Sequence, residues 1–429
     1  MDVSFLRAAP MSTLEVLSVL FATAAIFGLL SVRWLKLPIT VGTMLLTVLV
    51  SLCLMGAGHA APQFHAWALN LVRHIDFESV ILHGMLPLLL FAGAFLLDLE
   101  QLAREKLAVS LFSVVGTLLS VFLVAGLMFL LTGLRIPWGL RIPWIECLLF
   151  GALISPTDPI AVLEMLRRTG VSKPIQAQLA GESLFNDGLG AVLFLTLLEV
   201  ARGQAPTPWH IAGMLLLKSG GGILAGILAA WATSQLMRRG NAYQVDILFT
   251  VALALGGYVL ADALHLSAPL EAVVAGIALR HFNRHQPPEC VDHKNVDRFW
   301  KVIDEIQNSV LFVLLGLEIM AVTVDGPALW AGVAAILSVN AVRLVAVAAL
   351  LALMRLLQPG HRSSTFVLTW GGLRGGLSIA LALSVPAALG HAWILGATYL
   401  VVVFSIVIQG GSMDWLLRRR SRERTAARA

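Results

Sequence analysis

The run Gly181-Glu182-Ser183-Leu184-Phe185-Asn186-Asp187 sets four polar side chains in the middle of an apolar segment covering 175–201. That segment has about the length a helix needs to cross the hydrocarbon core of a bilayer, roughly 20 residues. On a helix Glu182 and Asn186 stack at i,i+4, and Ser183 stacks on Asp187 in the same way. The two stripes adjoin, so all four side chains fall in one sector. Ionisable groups at membrane depth are costly and mark ion or proton pathways. The rest of the chain reads as an enclosure for this cluster.

Composition supports that reading. Of 429 residues, 58% are hydrophobic and only 13% charged, with a mean hydropathy of +0.85. Soluble domains carry about 25% charged residues, so the chain is expected to be an all-α polytopic membrane protein, one transmembrane domain over 1–429. Residues 1–12 are too polar for a cleaved leader, and the first apolar segment is expected to be retained. Cys53, Cys147 and Cys290 have no metal-ligand spacing and imply no disulfide framework. The net charge of +5 would suggest nucleic acid only if loop placement were ignored.

Apolar runs give thirteen expected spans, from about 12–32 to 392–416. If the first span starts outside, 22 Lys and Arg fall in cytoplasmic loops and the tail, and 5 fall on the other side. The positive-inside rule then puts the N-terminus outside and the C-terminus in the cytoplasm of the plasma (inner) membrane. A short basic cytoplasmic tail follows from about residue 417, with its bland reading a topology anchor attracted to anionic lipid.

Two spans are interrupted. The fifth carries Ser155-Pro156-Thr157-Asp158-Pro159, and two prolines remove backbone donors and disfavour helix at Ser155 and Asp158. The twelfth carries Gly371-Gly372-Leu373-Arg374-Gly375-Gly376, where four glycines weaken the helix. Glycine and proline are common in membrane helices, and one break would mean little. With spans one to six and eight to thirteen taken as two inverted repeats, both breaks fall in the fifth helix of their half. Matched breaks point to a transporter with a site at mid-membrane.

Unwound backbone frees carbonyls that need partners. Those of Ser155 to Asp158 can coordinate a small monovalent cation, with Asp187 as countercharge. Asn186 can donate and accept, which suits a cross-brace to a broken helix. Asp158 reads equally as a helix-end cap or as support for the ion, and the roles can coexist. Glu182 cannot stay charged there alone, and Arg343 is the one basic residue in the middle of the eleventh span, so the two are expected to pair. Arg374 is expected to hold freed carbonyls or the end of a half-helix. Lys218 reads as a snorkelling side chain. Glu199, Asp246, Asp262, Glu271 and Glu318, nearer span ends, read as interface or capping residues.

The three motifs 155–159, 181–188 and Trp370 to Gly376, in this order and spacing, resemble those of the cation:proton antiporter-1 family of sodium/proton exchangers. The resemblance implies thirteen helices in two inverted repeats, with a dimer domain and a mobile six-helix core whose fifth and twelfth helices cross where they unwind. It implies a homodimer that exchanges sodium or lithium for a proton by alternating access, supporting pH homeostasis, with no cofactor beyond the transported ions. It matches Asp187 to the shared cation- and proton-binding carboxylate, with Asn186 and Asp158 beside it. Thr157 matches a main-chain oxygen ligand of the sodium ion, Ser183 a side-chain one, and Glu182 and Arg343 a structural ion pair. Pro156, Pro159, Gly372, Arg374 and Gly375 belong to the crossing. Ala92 stands where some members carry an acidic residue near the ion, so affinity and pH set-point do not carry over.

A potassium/proton antiporter would use the same parts. A cation channel would call for a filter of carbonyl or acidic rings, and none is visible. Asp158 and Asp187 could be imagined as an aspartyl dyad sharing a proton, but an enzyme of that kind leaves the matched breaks and Asn186 unexplained. A non-enzymatic, electroneutral exchanger is the expectation, since the central motif supplies one carrier carboxylate.

Overall fold

No water in hydrocarbon can take backbone hydrogen bonds, so an open chain crossing it must be helical. In the computed structural model every regular element among the described residues is helical. Those residues are 13–56, 72, 75–133, 142–169, 171–203, 207–239, 242–284, 293–320, 326–358, 363–413 and 415–417. The basic tail and Cys290 lie outside them.

The chain begins with α1 (Thr13–Leu30), α2 (Ile39–Gly56), α3 (Phe77–Phe95) and α4 (Lys106–Gly133). The fifth expected span is the pair α5 (Trp144–Ile154) and α6 (Ile160–Arg168). Then come α7 (Lys173–Ala201), α8 (Pro208–Met237), α9 (Tyr243–Ala263), α10 (Ala268–Asn283), α11 (His293–Glu318) and α12 (Gly326–Leu357). The twelfth is the pair α13 (Thr365–Trp370) and α14 (Gly376–Leu383). Last is α15 (His391–Phe404), which continues into a wide π-type turn, Ser405–Gly410.

Among the described residues, nine helices are long and apolar enough to cross a membrane. The other four expected spans differ for visible reasons. Two are interrupted, α10 has only 16 residues, and α11 carries Lys294, Asp297, Arg298, Lys301, Asp304 and Glu305 in its first half.

The helices pack in two groups. One holds α1–α3 and α8–α11, the other α4–α7 and α12–α15. The second comprises six of the thirteen expected spans. Across the boundary α7 meets α8 and α10, and α14 meets α3 and α11. Close approach comes from glycines, as is usual where helices pack without a water-driven force. A Cβ on Gly151 would lie 2.5 Å from the Val121 carbonyl, and one on Gly188 would lie 2.8 Å from Leu270. Gly190 leaves room only for the Pro156 ring, so α7 lies flush against the first break. On the outside, α8 turns Leu216, Leu217, Leu224 and Leu228 away from the protein, a surface suited to lipid chains.

Candidate functional site

The two breaks cross main chain to main chain. Helix α5 ends one residue before Ser155, and Pro156 and Pro159 have no N–H to carry it further. The N–H of Asp158 donates to the Leu373 carbonyl at 2.7 Å. Opposite it Gly375 is extended (φ −124°, ψ −160°), and a Cβ there would lie 2.6 Å from the Asp158 carboxylate. Gly375 is therefore required by the closeness of the crossing. Gly372 serves in the same way for Arg343, whose Nε would lie 2.7 Å from an added Cβ.

Arg374 binds the first break from the second. Its Nη1 donates to the Ser155 carbonyl and to the Pro156 carbonyl, the latter at 2.9 Å. Its backbone N–H donates to Ser405 Oγ at 2.9 Å. Ser405 Oγ donates in turn to Gln409 Oε1 (2.7 Å), and Gln409 Nε2 donates to Asn340 Oδ1 (2.6 Å). This corrects one expectation. Two of the freed carbonyls assigned to a cation, those of Ser155 and Pro156, are already taken by Arg374.

Helix α7 holds the next residue of the break. Thr157 N–H donates to Asn186 Oδ1 at 3.2 Å, and Asn186 Nδ2 donates to Thr157 Oγ1 at 2.9 Å. Asn186 thus uses both halves of its amide as the cross-brace that the sequence suggests. Ser183 Oγ donates to the Thr157 carbonyl, which leaves that main-chain oxygen and the hydroxyl oxygen side by side. Such a pair can be bridged by a cation once the hydroxyl proton turns away. Asp158 Oδ1 accepts from Ile160 N–H at 3.0 Å, so this carboxylate caps α6.

Asp187 differs from its neighbours. It is half-buried, and it makes no hydrogen bond or ion pair among the described residues. Asp158 and Arg374 are the charged groups that act on it. A carboxylate at depth without its own donor is costly until something neutralises it, which leaves Asp187 open to a proton or a cation. Glu182 faces the other way. Its Oε1 pairs with Arg343 Nη1 of α12, both residues being buried, at 1% and 7% exposure. Arg343 also donates to the Leu368 carbonyl from Nε (3.2 Å) and Nη2 (2.8 Å). The four polar side chains of the cluster therefore divide: Ser183 and Asn186 reach the break, Glu182 reaches α12, and Asp187 is left open.

Lys218 pairs with Glu199 at 2.7 Å. Asp246 and Glu271 fall in the first turns of α9 and α10, and both are buried, as is Glu318. Ala92 is sealed in an apolar cluster with Phe91, Leu279 and Trp300, so α3 offers no acidic oxygen at that point. Sequence reasoning missed the Leu373 and Leu368 carbonyls, which carry no side-chain signal. It also missed Ser405, Gln409 and Asn340, although a glutamine inside an apolar run could have drawn attention.

The chain matches the family model for the sodium/hydrogen exchanger transmembrane domain over residues 21–419. It is 37% identical over 416 residues to the Na(+)/H(+) antiporter NhaP of Pseudomonas aeruginosa, covering 95% of this chain and 96% of that one. It is 32% identical over 356 residues to the Na(+)/H(+) antiporter NhaH of Halobacillus dabanensis, covering 80% and 83%. The fold is similar to that of the sodium proton antiporter MjNhaP1 from Methanocaldococcus jannaschii, with a TM-score of 0.70, 19% identity, and coverage of 95% and 99%.

Proposed function

The chain belongs to the sodium/hydrogen exchanger family, and from that premise we propose that it exchanges sodium, or lithium, for a proton across the membrane by alternating access. The observation that carries this reading is the open carboxylate of Asp187, one helical turn from Ser183, whose hydroxyl meets the Thr157 carbonyl. Asp187 takes either the proton or the cation. The Thr157 main-chain oxygen and Ser183 Oγ complete the shell of the sodium ion with water, since hard oxygen ligands suit alkali cations. Asn186 holds Thr157 in place, Asp158 caps α6 and adds negative charge, and Arg374 ties the breaks together. Glu182 and Arg343 are structural.

In this reading the six-span group α4–α7 and α12–α15 moves against α1–α3 and α8–α11, carrying the crossing from one side to the other. It moves only when Asp187 is neutralised, because a bare charge is expensive to take through the closed state. The single domain works as a homodimer in the plasma (inner) membrane, N-terminus outside and C-terminus cytoplasmic, and serves pH homeostasis. The test is proton flux in proteoliposomes with sodium, lithium and potassium compared side by side. Sodium- or lithium-driven flux supports the reading, and flux driven by potassium alone would replace it with potassium/proton antiport.

A further inference from the structure

Helix α11 belongs to the group that does not carry Asp187, yet one of its stripes faces the crossing. Lys301, Asp304, Asn308 and Leu311 follow the three-four spacing of a single helix face. Exposure falls along it, from exposed Lys301 through half-buried Asp304 to Asn308 at 2%. Leu311 fills the space beside Gly376, where a Cβ would lie 2.8 Å from it, and the adjacent Gly375 lies against Asp158. Asp304 and Asp158 act on each other electrostatically, and Glu305 and Arg167 are the other charges felt at Asp304.

The amide of Asn308 is held in one orientation. Its Nδ2 donates to the Asp304 carbonyl at 2.8 Å and to Asp304 Oδ1 at 3.0 Å. Turning the amide over would set oxygen against oxygen. Asn308 Oδ1 is thereby fixed as the free atom, and it is buried without a donor among the described residues. Gln307 Oε1, next to it in sequence, is also without one. A buried amide oxygen with nothing to accept from is destabilising. The oriented oxygen, the carboxylate behind it and the direction of the stripe are all explained if a cation passes this point.

We propose that Asn308 Oδ1, backed by the Asp304 carboxylate, is a transient cation site on the route between the start of α11 and the Asp158–Asp187 crossing. Asp304 attracts the hydrated ion, and Asn308 replaces part of its water shell before Asp187 is reached. Such a stop must be favourable enough to enter and weak enough to leave, and one neutral oxygen with one carboxylate behind it meets both needs. The site stays fixed while the crossing moves, so it serves one face of the membrane only. The inference rests on the exchange reading and adds a place on the path.

The test uses the full chain inserted in liposomes in a known orientation, with sodium offered either at the face where α11 begins or at the opposite face. Asn308→Leu keeps the branched shape and removes the amide, its free oxygen included. Its KM for sodium should rise about fivefold at the α11 face, the weight of one lost polar contact, and change less than about twofold at the other. Asp304→Asn keeps the acceptor for Asn308 and removes the charge. It should raise the same KM and abolish that KM's dependence on ionic strength, and it decides the matter if Asn308→Leu does not fold. Equal changes at both faces, or none in a wild type that exchanges normally, would overturn the transit site alone. A wild type inert to every alkali cation would overturn both it and the exchange reading.

Discussion

Asp158 donates its backbone N–H to the Leu373 carbonyl at 2.7 Å, so the two interrupted helices are joined through main chain at the point where each loses its own ladder. Side chains decorate that joint, and Asp187, which stands beside it without a hydrogen bond, is free for exchange chemistry.

Asp187→Asn keeps the shape and removes the charge and the titration. Exchange should vanish while expression and thermal stability stay close to wild type, because no hydrogen bond of Asp187 is lost. Sodium-driven proton flux persisting in the folded variant would remove Asp187 from the carrier role.

Glu182→Gln and Arg343→Met each break a buried pair, which typically costs about 3–5 kcal/mol. The double variant should recover most of the loss but not all. Arg343 also satisfies the Leu368 carbonyl, and orphaning that acceptor costs about 1–3 kcal/mol. Melting temperatures of the three proteins decide the point. A double variant no better than the worse single one means that the pair contributes nothing.

Gly375→Ala would place a methyl 2.6 Å from the Asp158 carboxylate. Overpacking of this kind costs about 1–3 kcal/mol, and here the strain falls on the crossing itself, so exchange should drop at least about tenfold. Gly220→Ala in α8 meets open space and should leave exchange unchanged, with helix stability equal or slightly raised. Equal activity of the two variants would show that the crossing tolerates displacement.

Transport should be electroneutral. Asp158 is committed to the Ile160 N–H, Glu182 to Arg343, and Asn186 does not titrate, so Asp187 alone alternates between proton and cation. Lowering the pH should raise the apparent KM for sodium without lowering the limiting rate, the pattern of direct competition. Sodium-driven proton movement should be the same with and without a potassium/valinomycin clamp. Acceleration by an imposed potential would require a second titrating group.

Much of this site was legible in the sequence because a polar residue in an apolar run is conspicuous and has few possible partners. Arg343 is the one basic residue in the middle of its span, so its pairing with Glu182 could be named in advance. Asn186 could be recognised as a brace from its donor and acceptor alone. The partners in main chain could not. Which carbonyl Arg374 takes, and that Leu373 meets Asp158, depend on where two segments cross in space. Charges near span ends were also ambiguous, since Glu271 and Lys218 look alike in a hydropathy plot. One is buried and the other pairs with Glu199. The charged first half of α11 shows why a span count read from apolarity alone does not match the helices one for one.

The guanidinium of Arg374, fixed on the Ser155 and Pro156 carbonyls, has a consequence for ion valence. Counted with the carboxylates of Asp158 and Asp187, its one positive charge leaves the crossing short of a single unit. A proton or an alkali ion supplies one unit and leaves the pocket balanced. A calcium or magnesium ion supplies two, and the surplus at mid-membrane would hold the moving group where the ion entered, since burying an uncompensated charge is strongly opposed. Discrimination by valence is thus set by a residue that need never touch the ion. Calcium should drive no proton flux in the wild type, and calcium-driven flux would show that Arg374 does not set this balance.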